Sequence, residues 1–170
     1  MYKRQVLAIF VVVYVVPAAP SLPPAQVSIR EILAHGELMR LNFGVFALHL
    51  TQMAMFVVIP SALIRFAQLP LAEHWKIYLP VVIASFVLML PPIFIGEKRG
   101  KSKQVFVAAI ALLLLVQIGM WLALSQTQLH AAWLVGLLLA FFVAFNILEA
   151  SQPSLVSRIA PPGSKGTALG

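Results

Sequence analysis

The chain alternates long apolar runs with short polar connections. Four runs, at residues 41–60, 77–95, 105–124 and 131–150, are long enough to cross about 30 Å of hydrocarbon as helices that rise about 1.5 Å per residue. A fifth run, at residues 6–16, is too short to span. The pattern predicts an all-α integral membrane helical bundle with four full transmembrane helices and partial flanking helices.

Composition supports this assignment. Of the 170 residues, 61% are hydrophobic and 10% are charged, which is too apolar for the solvated surface of a soluble domain. The net charge is +7, but the cations lie in connections between apolar runs, which indicates membrane topology and argues against nucleic-acid binding. Because the chain has no cysteine, disulfides and thiolate metal sites are excluded.

The distribution of Lys and Arg orients the spans. One side receives eight of these residues: Arg30, Arg40, Lys98, Arg99, Lys101, Lys103, Arg158 and Lys165. The other side receives two, Arg65 and Lys76. The bias predicts that the connection at residues 96–104 is cytoplasmic. The three tryptophans agree, because Trp75, Trp121 and Trp133 lie at the opposite ends of their spans, where indole sits among headgroups.

The N-terminal region has two interpretations. Lys3 and Arg4 followed by an apolar run resemble a signal peptide, whereas the charge count favours the inner end of a truncated helix over residues 1–16. A proline-rich cytoplasmic linker follows within residues 17–40. In it, Ser28 and Glu31 have capping-box spacing, which predicts a short amphipathic helix along the membrane surface, although a loop with accidental periodicity remains open.

Polar residues within the spans are the candidate functional groups. In the first full span, Asn42, His49 and Gln52 share one helical face, and His49 lies about 12 Å along the axis, close to mid-membrane. A neutral histidine bonded to a neighbouring helix is one interpretation. The other is a proton relay, because histidine titrates near physiological pH.

The last full span carries two stripes. A ridge of small residues, suited to close helix packing, repeats every four positions: Ala132, Gly136, Ala140 and Ala144. A second stripe is more polar and holds Phe142, Asn146, Glu149 and Pro153. Glu149 is the only acidic residue inside any predicted span, and both a structural carboxylate and a proton carrier remain open.

Known catalytic and cofactor motifs are absent. The sequence contains no GxxxxGK[ST] nucleotide cradle, HExxH, CxxC or GxSxG motif, and its four histidines fall in different segments. No metal or cofactor is therefore predicted, and an enzyme is the weaker class. The spans at residues 77–95 and 105–124 offer little chemistry beyond Ser85 and Gln117 and are expected to be packing helices.

The connection at residues 96–104 carries a family motif. Glu97, Lys98, Arg99, Gly100 and Lys101 match the D-R-x-G-R/K core of the cytoplasmic loop of the major facilitator superfamily, with Glu97 in place of Asp and Ile93 in place of the upstream glycine. Further stretches, RLNFGVFALHL, AEHWKIYL, FFVAFN, PSLVS and KGTALG, resemble the YajR-type inner-membrane transporters of this superfamily. The chain is thus similar to the second half of such a transporter from about residue 30 onward.

The resemblance implies an internal fragment of a multi-pass bacterial inner membrane protein. Residues 1–16 would end the sixth transmembrane helix, residues 17–40 would be the cytoplasmic linker, and residues 41–170 would form helices seven to ten and the start of eleven. The implied function is proton-coupled efflux, that is antiport, of small organic molecules by alternating access. The implied partners are the lipid bilayer, the substrate, protons and the missing N-terminal half, with no nucleic acid.

The resemblance also assigns roles. His49 and Glu149 match positions where the family carries ionisable residues facing the central cavity, and Asn146, Asn42 and Gln52 are further cavity candidates. A non-transporting membrane scaffold or subunit is the alternative function.

The loop cations have two interpretations. They fix orientation alone, or they belong to a latch in which the Glu97 carboxylate lies near a helix N-terminus outside this chain.

Overall fold

A computed structural model describes residues 6, 9–10, 12–15 and 29–160, and of these residues 6, 9–10 and 12–14 are helical. The elements from residue 29 onward are α1 (Ile29–Ala34), α2 (Gly36–Ala67), a 3₁₀ turn (Leu71–Glu73), α3 (Trp75–Lys98), α4 (Ser102–Leu124) and α5 (Ala131–Ile159). The four helices α2 to α5 are each long and apolar enough to cross a membrane. The predicted helical membrane bundle is confirmed for the described part of the chain.

The helices extend beyond the predicted spans. α2 begins at Gly36, where the His35 side chain accepts a hydrogen bond from the Leu38 backbone N–H (3.4 Å), and it runs through Pro60 to Ala67. Its 32 residues measure about 48 Å, so the helix is longer than the hydrocarbon layer of about 30 Å that it would cross. The predicted short helix of the linker corresponds to α1, which ends at Ala34. Met39 already belongs to the next helix, α2. Ser28 and residues 161–170, which include the predicted start of the eleventh helix, lie outside the described residues.

α5 is the central helix of the bundle. It packs against α2, α3 and α4, whereas α2 makes little contact with α3 or α4. Within its most apolar stretch 44% of the residues are buried, against 17% in each of the other three helices. Large side chains account for this burial, and Leu134, Leu138 and Phe141 are at most 1% exposed. Side chains on α5 therefore contact all three of the other long helices, α2, α3 and α4.

The predicted small-residue ridge is only partly covered. Ala144 is buried and Ala140 is half-buried, but Ala132 and Gly136 are exposed. A close contact between α4 and α5 involves a different glycine, Gly119 on α4. A Cβ atom there would stand 2.9 Å from Leu137 Cδ2, closer than ordinary contact, so Gly119 lets the two helices meet.

Candidate functional site

Two adjacent residues of α5 face different neighbours. The Phe145 ring lies edge-on to the His49 ring of α2, with centroids 6.1 Å apart. Asn146 is buried and bonds to Ser85 of α3. At about 100° per residue, Glu149 lies about 40° from Phe145 and about 60° from Asn146 around the helix. Its direction therefore falls between that of Phe145, which faces α2, and that of Asn146, which faces α3. Glu149 is exposed and therefore points into the gap between α2 and α3.

We call this gap, bordered by His49, Asn146 and Glu149, the α2–α3 opening. The other side of α2 faces α4 across an apolar groove of about 260 Å³, to which Leu48 and Thr51 of α2 contribute. His49 lies about 100° around the helix from Leu48, on the side away from that groove. His49 and Glu149 thus border the same opening.

The hydrogen bond of His49 defines its neutral tautomer. His49 Nδ1 lies 2.9 Å from the backbone oxygen of Val45. Because a carbonyl oxygen only accepts, Nδ1 carries the proton and donates it. Nε2 is then the free acceptor of an exposed ring. A proton can bind at Nε2 without breaking the bond to Val45.

Asn146 and Ser85 form a buried link between α5 and α3. Ser85 Oγ donates its single proton to the Val82 carbonyl at 2.7 Å and accepts from Asn146 Nδ2 at 2.9 Å. Ser85 is fully buried and Asn146 is 9% exposed. The span of residues 77–95 was expected to offer little beyond Ser85, and Ser85 is the residue through which this helix bonds to α5. A signal was present, since Ser85 is a hydroxyl near the centre of an apolar run.

The remaining cavity candidates lie on α2. Asn42 and Gln52 are half-buried, and neither side chain makes a hydrogen bond to another described residue. Asn42 lies about 20° from His49 in helical phase and so faces the α2–α3 opening, whereas Gln52 lies about 60° from His49, towards α5. Gln152 of α5, which sequence reasoning missed, is 4% exposed and reaches Gly44, where a Cβ would stand 3.5 Å from its Nε2.

The loop motif forms the tight turn between α3 and α4. Gly100 has φ +65°, in the left-handed region where a side chain is strained. The turn closes through a 2.7 Å bond from the Lys101 N–H to the Gly96 carbonyl. Glu97, Lys98, Arg99 and Lys101 are all exposed, and Glu97 also borders a small cavity against the end of α5. Gly100 therefore shapes the turn that positions Glu97.

Histidines elsewhere do not join this site. His74 lies at the outer turn, is 4% exposed, and has Nε2 3.1 Å from the Leu69 carbonyl oxygen, while its Nδ1 has no partner among the described residues. His35 caps α2 and His130 precedes α5. Within the described ranges, no three His, Asp or Glu side chains form a group that could hold a metal ion.

Comparisons with known proteins agree with this architecture. The chain is 44% identical over 143 residues to the inner membrane transport protein YajR of Escherichia coli, an alignment that covers 84% of this chain and 30% of that protein. The resemblance to YajR-type transporters is confirmed. An uncharacterized transporter of Buchnera aphidicola is 29% identical over 70% of the chain, and the multidrug resistance protein MdtH of Aeromonas salmonicida is 25% identical over 86%.

The chain spans about a third of the length of these curated relatives, between 29% and 36%. No family model matches it. Similarity to the inner membrane protein YajR, together with four helices able to span, makes the chain a multi-pass inner membrane segment of major facilitator type.

Proposed function

We propose that this chain is part of the second half of a secondary transporter that exports small organic molecules in exchange for protons. Relatives named as transporters support transport over a scaffold role and favour a non-enzymatic protein. The name of MdtH, a multidrug resistance protein, supports efflux of small organic molecules. The missing N-terminal half supplies the other wall of the cavity, and the two halves rock about a site near mid-membrane.

One observation carries the proposal: His49 and Glu149 flank the same α2–α3 opening. His49 offers Nε2 as a proton acceptor, and Glu149 is an exposed carboxyl about 6 Å further along the α5 axis than Phe145. Intramembrane ionisable groups with access to a cavity are the usual carriers of coupling protons. Both groups bind and release a proton as the cavity changes sides, while Asn42, Gln52 and Asn146 contribute polar contacts to the cavity wall.

The test uses the full transporter that carries this segment, reconstituted in liposomes with a panel of small organic substrates. His49→Ala and Glu149→Gln are expected to lower substrate-driven proton flux at least tenfold, because each removes a proton-binding group. The matched controls are His130→Ala and Glu37→Gln, two exposed residues outside the opening. Unchanged proton flux in both cavity variants would refute the assignment of these residues.

A further inference from the structure

The groove between α2 and α4, here called the α2–α4 groove, runs from the cytoplasmic end of the bundle to about mid-membrane. On α2 its lining extends from Arg40 to Thr51, a distance of about 16 Å along the helix. Met55 lies one turn further and within about 20° of Leu48, but it is 4% exposed and packs into the core. One leaflet of hydrocarbon is about 15 Å thick, half of the bilayer core. The groove therefore has the depth of a single leaflet.

The walls of the groove below its entrance are apolar. α4 contributes Phe106, Ile110 and Leu113, and α5 contributes Leu148. The hydroxyl of Thr51 donates its proton to the Ala47 carbonyl of its own helix at 2.8 Å, so it offers no donor to the groove. Walls of this kind, next to the hydrocarbon of the membrane, suit an acyl chain better than a polar solute.

Two cations stand at the entrance, one on each helix. Arg40 of α2 belongs to the lining. Lys103 of α4 lies two turns before Ile110 and within about 20° of it around the helix, so it continues the stripe that lines the groove. Both are exposed, and neither side chain forms an ion pair or hydrogen bond with another described residue. The entrance thus carries two positive charges that an anionic group can neutralise.

A buried amide faces the groove below these cations. Gln152 of α5 lines the groove, is 4% exposed and makes no hydrogen bond through its side chain to another described residue. Its Nε2 would stand 3.5 Å from a Cβ at Gly44, which lies about 6 Å deeper along α2 than Arg40. An unpaired amide is costly at that depth. A ligand with an acceptor one helical turn below its anionic group would satisfy the amide.

We propose that the α2–α4 groove binds an anionic phospholipid of the cytoplasmic leaflet. The phosphate lies between Arg40 and Lys103, an ester carbonyl accepts a hydrogen bond from Gln152 Nε2, and one acyl chain fills the groove. Phosphatidylglycerol fits better than phosphatidylethanolamine, whose ammonium group would meet the two cations. A transmembrane helix from the rest of the transporter would need a groove through both leaflets, and this groove ends before Met55.

The site lies on the other side of α2 from the α2–α3 opening, so the proposal goes beyond the proposed function. Its test uses the full transporter that carries this segment, purified in detergent, freed of lipid and titrated separately with phosphatidylglycerol and phosphatidylethanolamine. Native mass spectrometry counts the bound lipid and gives its affinity. The unaltered transporter is expected to bind phosphatidylglycerol more tightly.

Two variants test the polar contacts. Combining Arg40→Gln with Lys103→Gln is expected to lower the affinity for phosphatidylglycerol about tenfold, because each cation attracts the anionic headgroup. Gln152→Leu removes only the hydrogen bond to the ester and is expected to lower the affinity for both lipids about threefold. The matched control combines Lys98→Gln with Arg99→Gln, which removes one lysine and one arginine from exposed positions outside the lining.

A third variant tests the groove itself. Ala47→Phe fills the groove and keeps both cations, and it is expected to lower the affinity for phosphatidylglycerol about tenfold by excluding the acyl chain. Unchanged affinity in this variant, or an equal loss in the control, would overturn the proposal, because charge alone would then recruit the lipid. If Ala47→Phe does not fold, unchanged affinity in Gln152→Leu overturns it.

A helix of the full transporter that occupies the groove would leave the unaltered protein with no preference for phosphatidylglycerol, and that result also overturns the proposal. Lipid affinity is measured without proton flux. Failure of the lipid site therefore leaves the proposed function standing, and loss of proton coupling leaves the lipid site standing.

Discussion

The layer at mid-membrane and the cytoplasmic end of the bundle use polar residues in opposite ways. At mid-membrane, His49, Ser85 and Asn146 each have a hydrogen-bond partner within the protein. At the cytoplasmic end, Glu97 and Arg158 lie around a cavity without a bond between them. Hydrocarbon favours such pairing, because an unpaired polar group costs several kcal/mol where water is absent. The Gln52 side chain and the buried Nε2 of Gln117 are exceptions, since neither has a partner among the described residues.

Packing follows the same division. α4 and α5 approach closely at Gly119 and Leu137, towards the outer end, while the cytoplasmic ends of α3 and α5 are separated by a cavity. Water access lets charged groups at that end exchange partners at little cost. The two regions are thus a closely packed outer body, which contains the Gly119 contact, and an adjustable end next to the turn at residues 96–104. Three stability measurements on the full transporter test this division.

The largest expected effect is at the close contact of the outer body. Gly119→Val places methyl groups where a Cβ alone already stands 2.9 Å from Leu137, so overpacking is expected to lower the free energy of unfolding by about 1–3 kcal/mol. Reversible unfolding in bicelles measures this change. The matched control is Gly136→Val on α5, since Gly136 has no atom within 4 Å of an added Cβ. Equal losses in both variants would show that the outer body is not closely packed there.

The sequence predicted the elements better than their arrangement. Apolar runs suffice to predict α2 to α5, because hydrocarbon thickness sets the length of a span. They do not identify which helix is central. That depends on the size of facing side chains, and the bulky residues Leu138 and Phe141 reveal the role of α5 only once its neighbours are placed.

The candidate site was predictable in part. His49 and Glu149 stand out because ionisable groups are rare in hydrocarbon, and the helical period alone places Asn42 near His49. The pairing of Ser85 with Asn146 was missed, because pairing across helices depends on helix order and rotation. Neither quantity is encoded in the pattern of one segment.

The next expected effect concerns the cytoplasmic turn. Gly100→Ala forces a side chain into φ +65° and is expected to cost about 1–2 kcal/mol, observed as a lower unfolding temperature. Gly36→Ala is the control, because Gly36 begins α2 with open space around it and alanine favours helix. A Gly100→Ala variant as stable as Gly36→Ala would mean that the turn relaxes easily, which extends the adjustable end to the loop itself.

The smallest expected effect is the buried link between α3 and α5. A double-mutant cycle of Ser85→Ala and Asn146→Ala measures how strongly the two residues stabilise each other. Interhelical hydrogen bonds in membranes average about 0.6 kcal/mol and reach about 1.7 kcal/mol, because the separated helices find other partners. A coupling within this range is expected for the 2.9 Å bond.

The control cycle pairs Asn146→Ala with Thr51→Val. Thr51 bonds to the Ala47 carbonyl of its own helix, so its coupling to Asn146 is expected to be close to zero. If the Ser85 cycle also gave zero, no hydrogen bond would hold the part of α3 before Pro91 and Pro92 to α5. The whole of α3 would then be free to move together with its end near residue 98. A clear coupling would instead confine bending to the part of α3 after Pro91 and Pro92, because the segment that carries Ser85 would stay bound to α5.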